Sequence, residues 1–346
     1  MNPPLVKNGV YPKTGIEMTW LFLFLFSLIV FPHSAQSFNP YRYHQVAMGT
    51  TVEITLMGMY EEEATRAAMQ AFQEIKRIEQ LMSPKIVSGD VYRINQSAGT
   101  GWVNVSPETI EVIQKAKEIS TLSEGAFDIT VAPLTRIWRG ARENGFPPSV
   151  EEVAKLLELV NFREMLISPE GKVLLRKKGM AVDFGGIAKG YAVDKAFEIL
   201  RSLGHENIIV NAGGDLRAGG KRGDQPWTIG IQHPRQPDGI MAKMSLSDSA
   251  MATSGNYQKF FMYQGRRYGH IFNPSDGFPT ESSQSVSVTH KNSMTADALA
   301  TAVFVMGPEK GYALCQKMDG VNCFIVDRDG RVIVSPGLKD CLTLNP

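Results

Sequence analysis

The segment that most constrains the fold is residues 183–196, which read DFGGIAKGYAVDKA. Its polar first residue follows a short apolar run, and its second half repeats apolar residues at helical spacing. Two adjacent glycines, Gly185 and Gly186, join the two parts. The pattern therefore predicts a strand, a tight glycine turn and an amphipathic helix.

This turn has the composition of an anion site. Glycines let the backbone pass close to a bound group, and the start of a helix offers N–H donors that have no partner in the helix. Lys189, about one turn in, can add a mobile positive charge to a phosphate. The alternative is an ordinary strand-to-helix turn with a solvated lysine, because a glycine pair alone is a weak fingerprint.

A second informative segment is residues 295–301, TADALAT. On a helix, Asp297 and Thr301 stand four residues apart, so their oxygens project from one face about 6 Å apart along the axis. A carboxylate and a hydroxyl with few other acids nearby suit Mg²⁺ that keeps substrate phosphate oxygens as ligands. The alternative is that Asp297, in the first helical turn, only favours the helix dipole.

Three weaker candidates lie elsewhere in the chain. Residues 126–130, AFDIT, place an aromatic ring and an acid after a glycine that ends a helix. Residues 211–215, NAGGD, predict either a tight turn between strands or a ligand contact. His270 follows a basic turn from which it can reach a phosphate, although a lone histidine is more often structural.

Periodicity along the rest of the chain predicts one α+β domain over residues 38–346. A strand is expected at 46–57, and an amphipathic helix at 61–82. Ser106 is expected to cap the next helix, and Ser149 to open a capping box for a helix through Val160. Helices, strands and hairpins alternate irregularly, without a repeat or linker.

The N-terminus predicts export. Two lysines precede an apolar run at 20–31, and small residues at 35–37 follow it, as around a signal cleavage point. Residues 1–37 are therefore expected to be a signal peptide or an uncleaved N-terminal anchor. Of 36 basic and 35 acidic residues, only two and one lie in the first 36, which leaves 34 of each. This neutral body argues against nucleic-acid binding and a broad electrostatic membrane surface.

The three cysteines, Cys315, Cys323 and Cys341, all lie near the C-terminus. None has CxxC spacing, which argues against a thiolate metal site. In an oxidising compartment one pair can bridge and leave one thiol over, and buried inert thiols are an equally good interpretation.

Six motifs in fixed order resemble the ApbE family of FAD:protein FMN transferases. They read AFDITVAPLTRIW, DFGGIAKGYAVDKA, NAGGD, ATSGNYQKFF, GHIFNP and TADALATAVFVMG, within a match over residues 46–335. The resemblance implies a single ApbE-like, T-fold-related domain of mixed sheets and packed helices, with the flavin site between two lobes. It also implies an exported, periplasmic enzyme, associated with the inner membrane if its N-terminal segment is retained.

The resemblance further implies the reaction and its residues. A Mg²⁺-dependent enzyme would split FAD at the pyrophosphate, attach FMN to a threonine of an acceptor flavoprotein and release AMP. Acceptors in the family include subunits of sodium-pumping quinone reductases, Rnf-type complexes and other exported flavoproteins. By motif, the metal ligands would be Asp297, Thr301 and the carbonyl of Gly186, and His270 would serve transfer beside Asp297. The implied FAD contacts are Met48, Ala126, Phe127, Asp128, Asp183, Lys189 and Ile271.

Two departures from the family pattern bear on activity. An aromatic FAD contact expected near Lys85 is missing, and the glycine pair at 185–186 replaces the more common Ser-Ala or Ser-Thr. The missing aromatic favours an FAD pyrophosphatase that gives FMN and AMP as the first alternative. A flavin-binding protein without turnover is the second, and retention of Asp297, Thr301 and Asp183 argues against it.

Overall fold

The computed structural model describes residues 39–257 and 259–345. The predicted signal or anchor segment, residues 1–37, lies outside this range, so its interpretation stays a prediction. No helix in the described part is long and apolar enough to cross a bilayer.

The described residues contain eight α-helices and sixteen strands. The helices are α1 Glu61–Met82, α2 Asp90–Gln96, α3 Pro107–Leu122, α4 Ala132–Asn144, α5 Val150–Leu157, α6 Ala188–Ser202, α7 Ser293–Met306 and α8 Pro308–Gln316. The strands are β1 Tyr41–Ala47, β2 Thr50–Met57, β3 Val103–Asn104, β4 Met165–Ile167, β5 Lys172–Leu175, β6 Asn207–Ala212, β7 Asp215–Gly219, β8 Trp227–Gln232, β9 Ile240–Leu246, β10 Ser249–Gly255, β11 Phe260–Tyr263, β12 Arg266–Gly269, β13 Ser283–His290, β14 Asn322–Asp327, β15 Val332–Val334 and β16 Leu342–Leu344.

An antiparallel eight-stranded sheet organises the domain, with the order β1-β2-β6-β7-β10-β13-β14-β15. Side chains alternate between its two faces, so each strand supplies two cores. One face packs against α1, α6 and α7 in the largest apolar cluster, and the other packs against the small sheet β16-β9-β8. A third, aromatic cluster joins α4 and α5 to the hairpin β11-β12. The α+β prediction is confirmed.

Local signals placed several elements correctly. Helix α1 has the predicted bounds, Ser106 accepts the N–H of Thr109 at the start of α3, and Ser149 forms the predicted capping box. The helix that follows Ser149 ends at Leu157 instead of Val160. The strand predicted at 46–57 is confirmed from Thr50 to Met57 as β2, but residues 46–47 belong to β1, and the two strands form a hairpin that turns at Met48.

Met48 and its neighbour Gly49 form that two-residue turn with φ of 55° and 72°. Turns with two positive φ angles match the twist of paired strands, but a methionine there gives no sequence signal. Helix α4 was not predicted either. Its Pro133 lies near the first helical position, where proline suits a helix start.

Helices α6 and α7 pack unusually closely at Gly190. A Cβ atom at this position would lie 2.3 Å from the carbonyl oxygen of Ser293 and 2.8 Å from the Cα of Met294. Only glycine permits this approach, because both neighbours are backbone atoms. Gly190 therefore fixes how near the two motif-bearing helices can come to each other.

We expect Gly190→Ala to lower the free energy of unfolding by about 1–3 kcal/mol, because the helices must separate to admit the methyl group. The matched control is Gly140→Ala in α4, where no atom lies within 4 Å of the added Cβ. That variant should be about 0.5–1 kcal/mol more stable, since alanine is the better helix former. Urea unfolding measures both, and equal stabilisation of the two variants would contradict the close contact.

Candidate active site

A cavity of about 880 Å³ opens where the three apolar clusters meet. Its wall takes residues from the glycine turn before α6, from α4 and α7, and from strands β8, β10 and β12. The site residues predicted from sequence all line it: Met48, Ala126, Phe127, Asp128, Asp183, Gly186, Lys189, His270, Ile271, Asp297 and Thr301. Residues spread over 250 positions are thus brought to one place.

The glycine turn is held from both sides. Phe184 and Ile187 are buried in the main core, and the carboxylate of Asp183 accepts the N–H of Gly185 at 2.8 Å. The strand expected before the turn is only a single bridge between Val131 and Ala181. The segment is therefore an anchored loop that delivers the chain to α6.

The prediction of unpartnered N–H donors at the start of α6 is largely wrong. The N–H of Ala188 is bonded to the carbonyl of Phe184 at 2.8 Å, and the N–H of Gly190 is bonded to Asp297 at 3.0 Å. Lys189 is the second residue of the helix instead of standing one turn in. Positive charge at this end of the cavity consequently comes from the side chain of Lys189 more than from the backbone.

Asp297 and Thr301 face the glycine turn. Asp297 is the fifth residue of α7 and is buried, so the alternative of a first-turn carboxylate that serves only the helix dipole is wrong. The Thr301 hydroxyl oxygen would lie 3.1 Å from a Cβ at Gly186, and it shares a 3.2 Å hydrogen bond with the hydroxyl of Ser254. Carboxylate, hydroxyl and Gly186 backbone therefore converge.

Lys189 balances the negative charge of Asp297, and a second acid, Asp215, holds Lys189 in place. Lys189 forms an ion pair with Asp215 on β7, and its Nζ lies 3.7 Å from the Oδ1 of Asp297. Asp215 also accepts the N–H of Thr253 at 3.3 Å. Burial raises the pKa of Asp297, whereas Lys189 and the N–H of Gly190 oppose this shift.

These groups fit a hard cation. Mg²⁺ prefers oxygen ligands and keeps several positions for water or phosphate oxygens. In the described part of the chain, no three His, Cys, Asp or Glu side chains cluster as a metal site. A Mg²⁺ ion here would take the carboxylate of Asp297 with the neutral oxygens of Thr301 and Gly186. The Oδ1 of Asp297, whose nearest cation is 3.7 Å away, keeps capacity for such an ion.

In the loop at 126–130, Phe127 and Asp128 have different roles. Phe127 is buried, and its ring edge would lie 3.3 Å from a Cβ at Gly186, so it packs against the glycine turn. Asp128 accepts hydrogen bonds from the N–H and hydroxyl of Thr130 and from the N–H of Phe162. Burial raises the pKa of Asp128, and these three donors oppose the shift. This carboxylate therefore organises the loop.

Two further predicted contacts, Met48 and Ile271, border the cavity from separate elements. Met48 lines the cavity from the hairpin turn, which Glu79 of α1 fixes by accepting the Met48 N–H at 2.9 Å. Ile271 follows β12, and its carbonyl accepts the N–H of Thr280 at 3.0 Å. Both side chains are partly buried and border the cavity.

His270 is exposed to the cavity but enclosed by protein on its other sides. This desolvation, together with the nearby cations Lys259, Lys189 and Arg142, lowers its pKa to about 4. The imidazole is therefore neutral at pH 7 and has a nitrogen lone pair that can accept a proton.

The structure adds cationic residues that sequence reasoning missed. Arg139 and Arg142 of α4 and Lys259 before β11 line the cavity, and none has an ion-pair partner within residues 39–257 and 259–345. Burial and the neighbouring cations lower the pKa of Lys259. The spacing of the two arginines indicates a shared helix face only once α4 is known, so the sequence alone did not point to them.

Asp215 and Ser254 were inside quoted motifs, but their partners could not be read from sequence. Lys189 is 26 positions from Asp215, and Thr301 is 47 positions from Ser254. The glycine pair between Asn211 and Asp215 is the predicted tight turn, and it also lines the cavity. The position of residues 211–215 is thus compatible with both a tight turn and a ligand contact.

Lys85, where an aromatic residue was expected, lines the cavity in an exposed loop after α1. The loop thus reaches the cavity as predicted. Of the cysteines, Cys315 and Cys323 are buried thiols and Cys341 is partly exposed, with no disulfide in the structure.

Comparison with known proteins agrees with this geometry. The model of the ApbE family matches residues 48–325. An FAD:protein FMN transferase of Vibrio cholerae is 33% identical over 78% of this chain and 82% of that protein. One from Klebsiella pneumoniae is 30% identical over 85% of this chain and 92% of that protein.

Solved structures of ApbE proteins have a similar fold. The ApbE protein of Thermotoga maritima superposes with a TM-score of 0.81 at 35% identity and covers 88% of this chain and 99% of its own. The flavin transferase ApbE of Vibrio cholerae gives a TM-score of 0.78 at 28% identity, with coverage of 88% and 99%. The chain therefore belongs to the ApbE family.

Proposed function

We propose that this protein is an FAD:protein FMN transferase that modifies a threonine of an exported flavoprotein in a Mg²⁺-dependent reaction. The observation that carries the proposal is the convergence of Asp297, Thr301 and Gly186 beside the Lys189–Asp215 pair, in a cavity that also exposes a neutral His270. The names of the curated relatives support the transferase activity.

The geometry supports binding of a dinucleotide with a charged centre. A cavity of about 880 Å³ is in the range that holds a cofactor-sized ligand. Arg139, Arg142 and Lys259 line it without an acidic partner in the described residues and suit a pyrophosphate, and Phe127 and Trp138 give it aromatic walls for a ring. When bound, Mg²⁺ would make the phosphorus a better electrophile and stabilise the leaving phosphate.

The chain's own groups then account for transfer. The threonine oxygen of the acceptor attacks the phosphorus of the FMN half, the bond from that phosphorus to the AMP oxygen breaks, and AMP leaves. The lost hydroxyl proton passes to the neutral imidazole of His270. Lys189 stabilises charge on the phosphate oxygens, while Asp215 keeps the ammonium group in place.

One observation favours a second candidate function, FAD hydrolysis to FMN and AMP. Lys85 lies where the family pattern places an aromatic flavin contact, and its loop lines the cavity. Without a ring to exclude water from the flavin side, water can replace the acceptor hydroxyl. A flavin carrier without turnover is not supported, because binding alone does not need the converging Asp297 and Thr301.

AMP release tests the reaction class. The purified protein is incubated with FAD, with Mg²⁺ or with EDTA, and with or without an acceptor domain, and AMP and FMN are separated by chromatography. The proposal expects Mg²⁺-dependent AMP release that rises with acceptor and leaves little FMN in solution. Equal amounts of released AMP and FMN, unchanged by the acceptor, would favour the pyrophosphatase. Recovery of intact FAD would contradict both activities.

We expect Lys85→Tyr to raise the ratio of transferred FMN to released FMN, because a ring at the flavin should exclude water. Lys85→Ala is the matched control, since it removes the amine without adding a ring and should leave the ratio low. The ratio is measured by intact mass of the acceptor and chromatography of the supernatant. An unchanged ratio in the tyrosine variant would show that this loop position does not contact the flavin.

Export remains part of the proposal. The N-terminal pattern at residues 1–37 supports a periplasmic location, with the inner membrane as an anchor if the segment is retained. Acceptors would then be exported flavoproteins or the periplasmic parts of quinone reductase or Rnf-type subunits. Fractionation of cells that express the full chain tests this, and recovery in the cytosol would contradict it.

A further inference from the structure

Helix α6 carries a buried carboxylate that the proposed reaction does not use. Asp194 is only 5% exposed. One of its oxygens accepts the N–H of Ser293 and the other accepts the N–H of Met294, both at 2.9 Å. These two residues are the first of α7, so a side chain of one helix caps the start of the next.

The cap of α7 therefore comes from outside its own sequence. The first N–H groups of a helix have no partner within it, and the preceding residue usually supplies a side-chain oxygen. Asn292, at that position, makes no such bond. Asp194 satisfies two of these donors, and its negative charge also suits the positive end of the helix.

A second link lies one turn away on the same face of α6. The N–H of Gly190 donates to Asp297 at 3.0 Å, and residues 190 and 194 stand four apart. Gly190 also brings the two helices into backbone contact. Helix α7 is thus tied to α6 at its start, through Asp194, and at the predicted cation ligand, through Gly190.

Strand β7 braces both links. Its residues 215 and 217 point to the same face, because side chains alternate along a strand. Arg217 donates to the Oδ1 of Asp194 at 2.9 Å, while Asp215 pairs with Lys189. The strand thereby sets the position of α6 at two points, one on each side of Gly190.

We propose that Asp194 is a positioning residue for the Mg²⁺ site, since it fixes α7 against α6 so that Asp297 and Thr301 face Gly186. This inference rests on the proposed function. It concerns a residue outside the large cavity, which contributes no atom to that cavity's wall. Its loss should weaken cation binding through the position of α7.

A purely structural role is the competing explanation, and Asp90 provides a matched control. This buried aspartate on α2 holds the start of α3 indirectly, through its capping residue Ser106: it accepts the N–H and hydroxyl of Ser106 and the hydroxyl of Thr109, and it pairs with Arg93. Asp90 lies outside the cavity wall. Asp90→Asn should therefore cost stability without a change in cation affinity.

The test is calorimetric titration of Mg²⁺ into the full-length protein with ADP bound, since ADP supplies a pyrophosphate without a flavin to transfer. We expect Asp194→Asn to raise the Mg²⁺ dissociation constant about tenfold or more, as loss of a group that orients metal ligands commonly does. Asp90→Asn should keep the wild-type constant. Melting temperatures of both variants are measured alongside, and we expect them to fall by similar amounts.

Asp194→Glu is the second variant, in case the asparagine variant does not fold. Glutamate keeps the charge, but its extra methylene shifts the carboxylate, so the Mg²⁺ constant should still rise. Wild-type constants in every Asp194 variant that folds would overturn the positioning role alone. An absence of Mg²⁺ binding in the wild-type protein would overturn the proposed cation site as well.

Discussion

Asp297→Asn is expected to lower Mg²⁺-dependent AMP release by about 100-fold or more, since the variant removes the carboxylate assigned to the proposed cation site. The measurement is the initial rate of AMP formation from FAD at saturating Mg²⁺, with acceptor present. Asparagine keeps the shape of the side chain and can still accept the N–H of Gly190.

The variant should fold with nearly the wild-type melting temperature. Burial disfavours the charge of Asp297, so its removal relieves a desolvation cost while Lys189 keeps Asp215 as its partner. Asp90→Asn serves as the control, because that buried carboxylate lies outside the cavity. Near-normal turnover in Asp297→Asn would contradict the metal assignment.

His270→Gln is expected to reduce FMN transfer by roughly 100- to 10,000-fold, the range typical for loss of a general base. FAD affinity should change little, because the imidazole is neutral at pH 7 and carries no charge toward the pyrophosphate. Rates of acceptor labelling measure the first effect and quenching of flavin fluorescence the second. His205→Gln is the control, since His205 is buried beside Glu63 outside the cavity.

The pH dependence follows from the same environment. A base with a pKa of about 4 is unprotonated above that value, so its contribution to kcat/KM is present at neutral pH and lost only as pH falls through about 4. The acid limb expected for an ordinary histidine, near its reference pKa of 6.5, should therefore be absent from the wild-type profile. If kcat/KM of the wild-type protein instead falls near pH 6.5, and this fall is absent in His270→Gln, the imidazole is not desolvated as described.

Sequence patterns predicted the local features whose causes are local. The apolar spacing of α1 gave its bounds, Ser106 and Ser149 gave helix starts, and the alternation of elements gave the α+β class. Helix spacing also gave the shared face of Asp297 and Thr301. The ordered motifs identified site residues that do line the cavity.

What the sequence did not give depends on contacts between distant positions. The pairing of Lys189 with Asp215 and the cap that Asp194 supplies to Ser293 both join separate elements, and no spacing rule predicts them. The N–H of Gly190 looked available because its partner, Asp297, lies 107 positions away. The turn at Met48 was missed because methionine rarely adopts a positive φ.

Intact mass spectrometry of an acceptor shows whether this protein attaches FMN to a threonine, as we propose. An acceptor domain from a quinone reductase subunit and its threonine-to-alanine variant are each incubated with the full-length protein, FAD and Mg²⁺. We expect the unchanged acceptor to gain the mass of one FMN unit, which peptide mapping should place on the threonine. The alanine variant and the EDTA control should gain nothing. Complete conversion of FAD to AMP and FMN, with both acceptors unmodified, would contradict the proposed transfer.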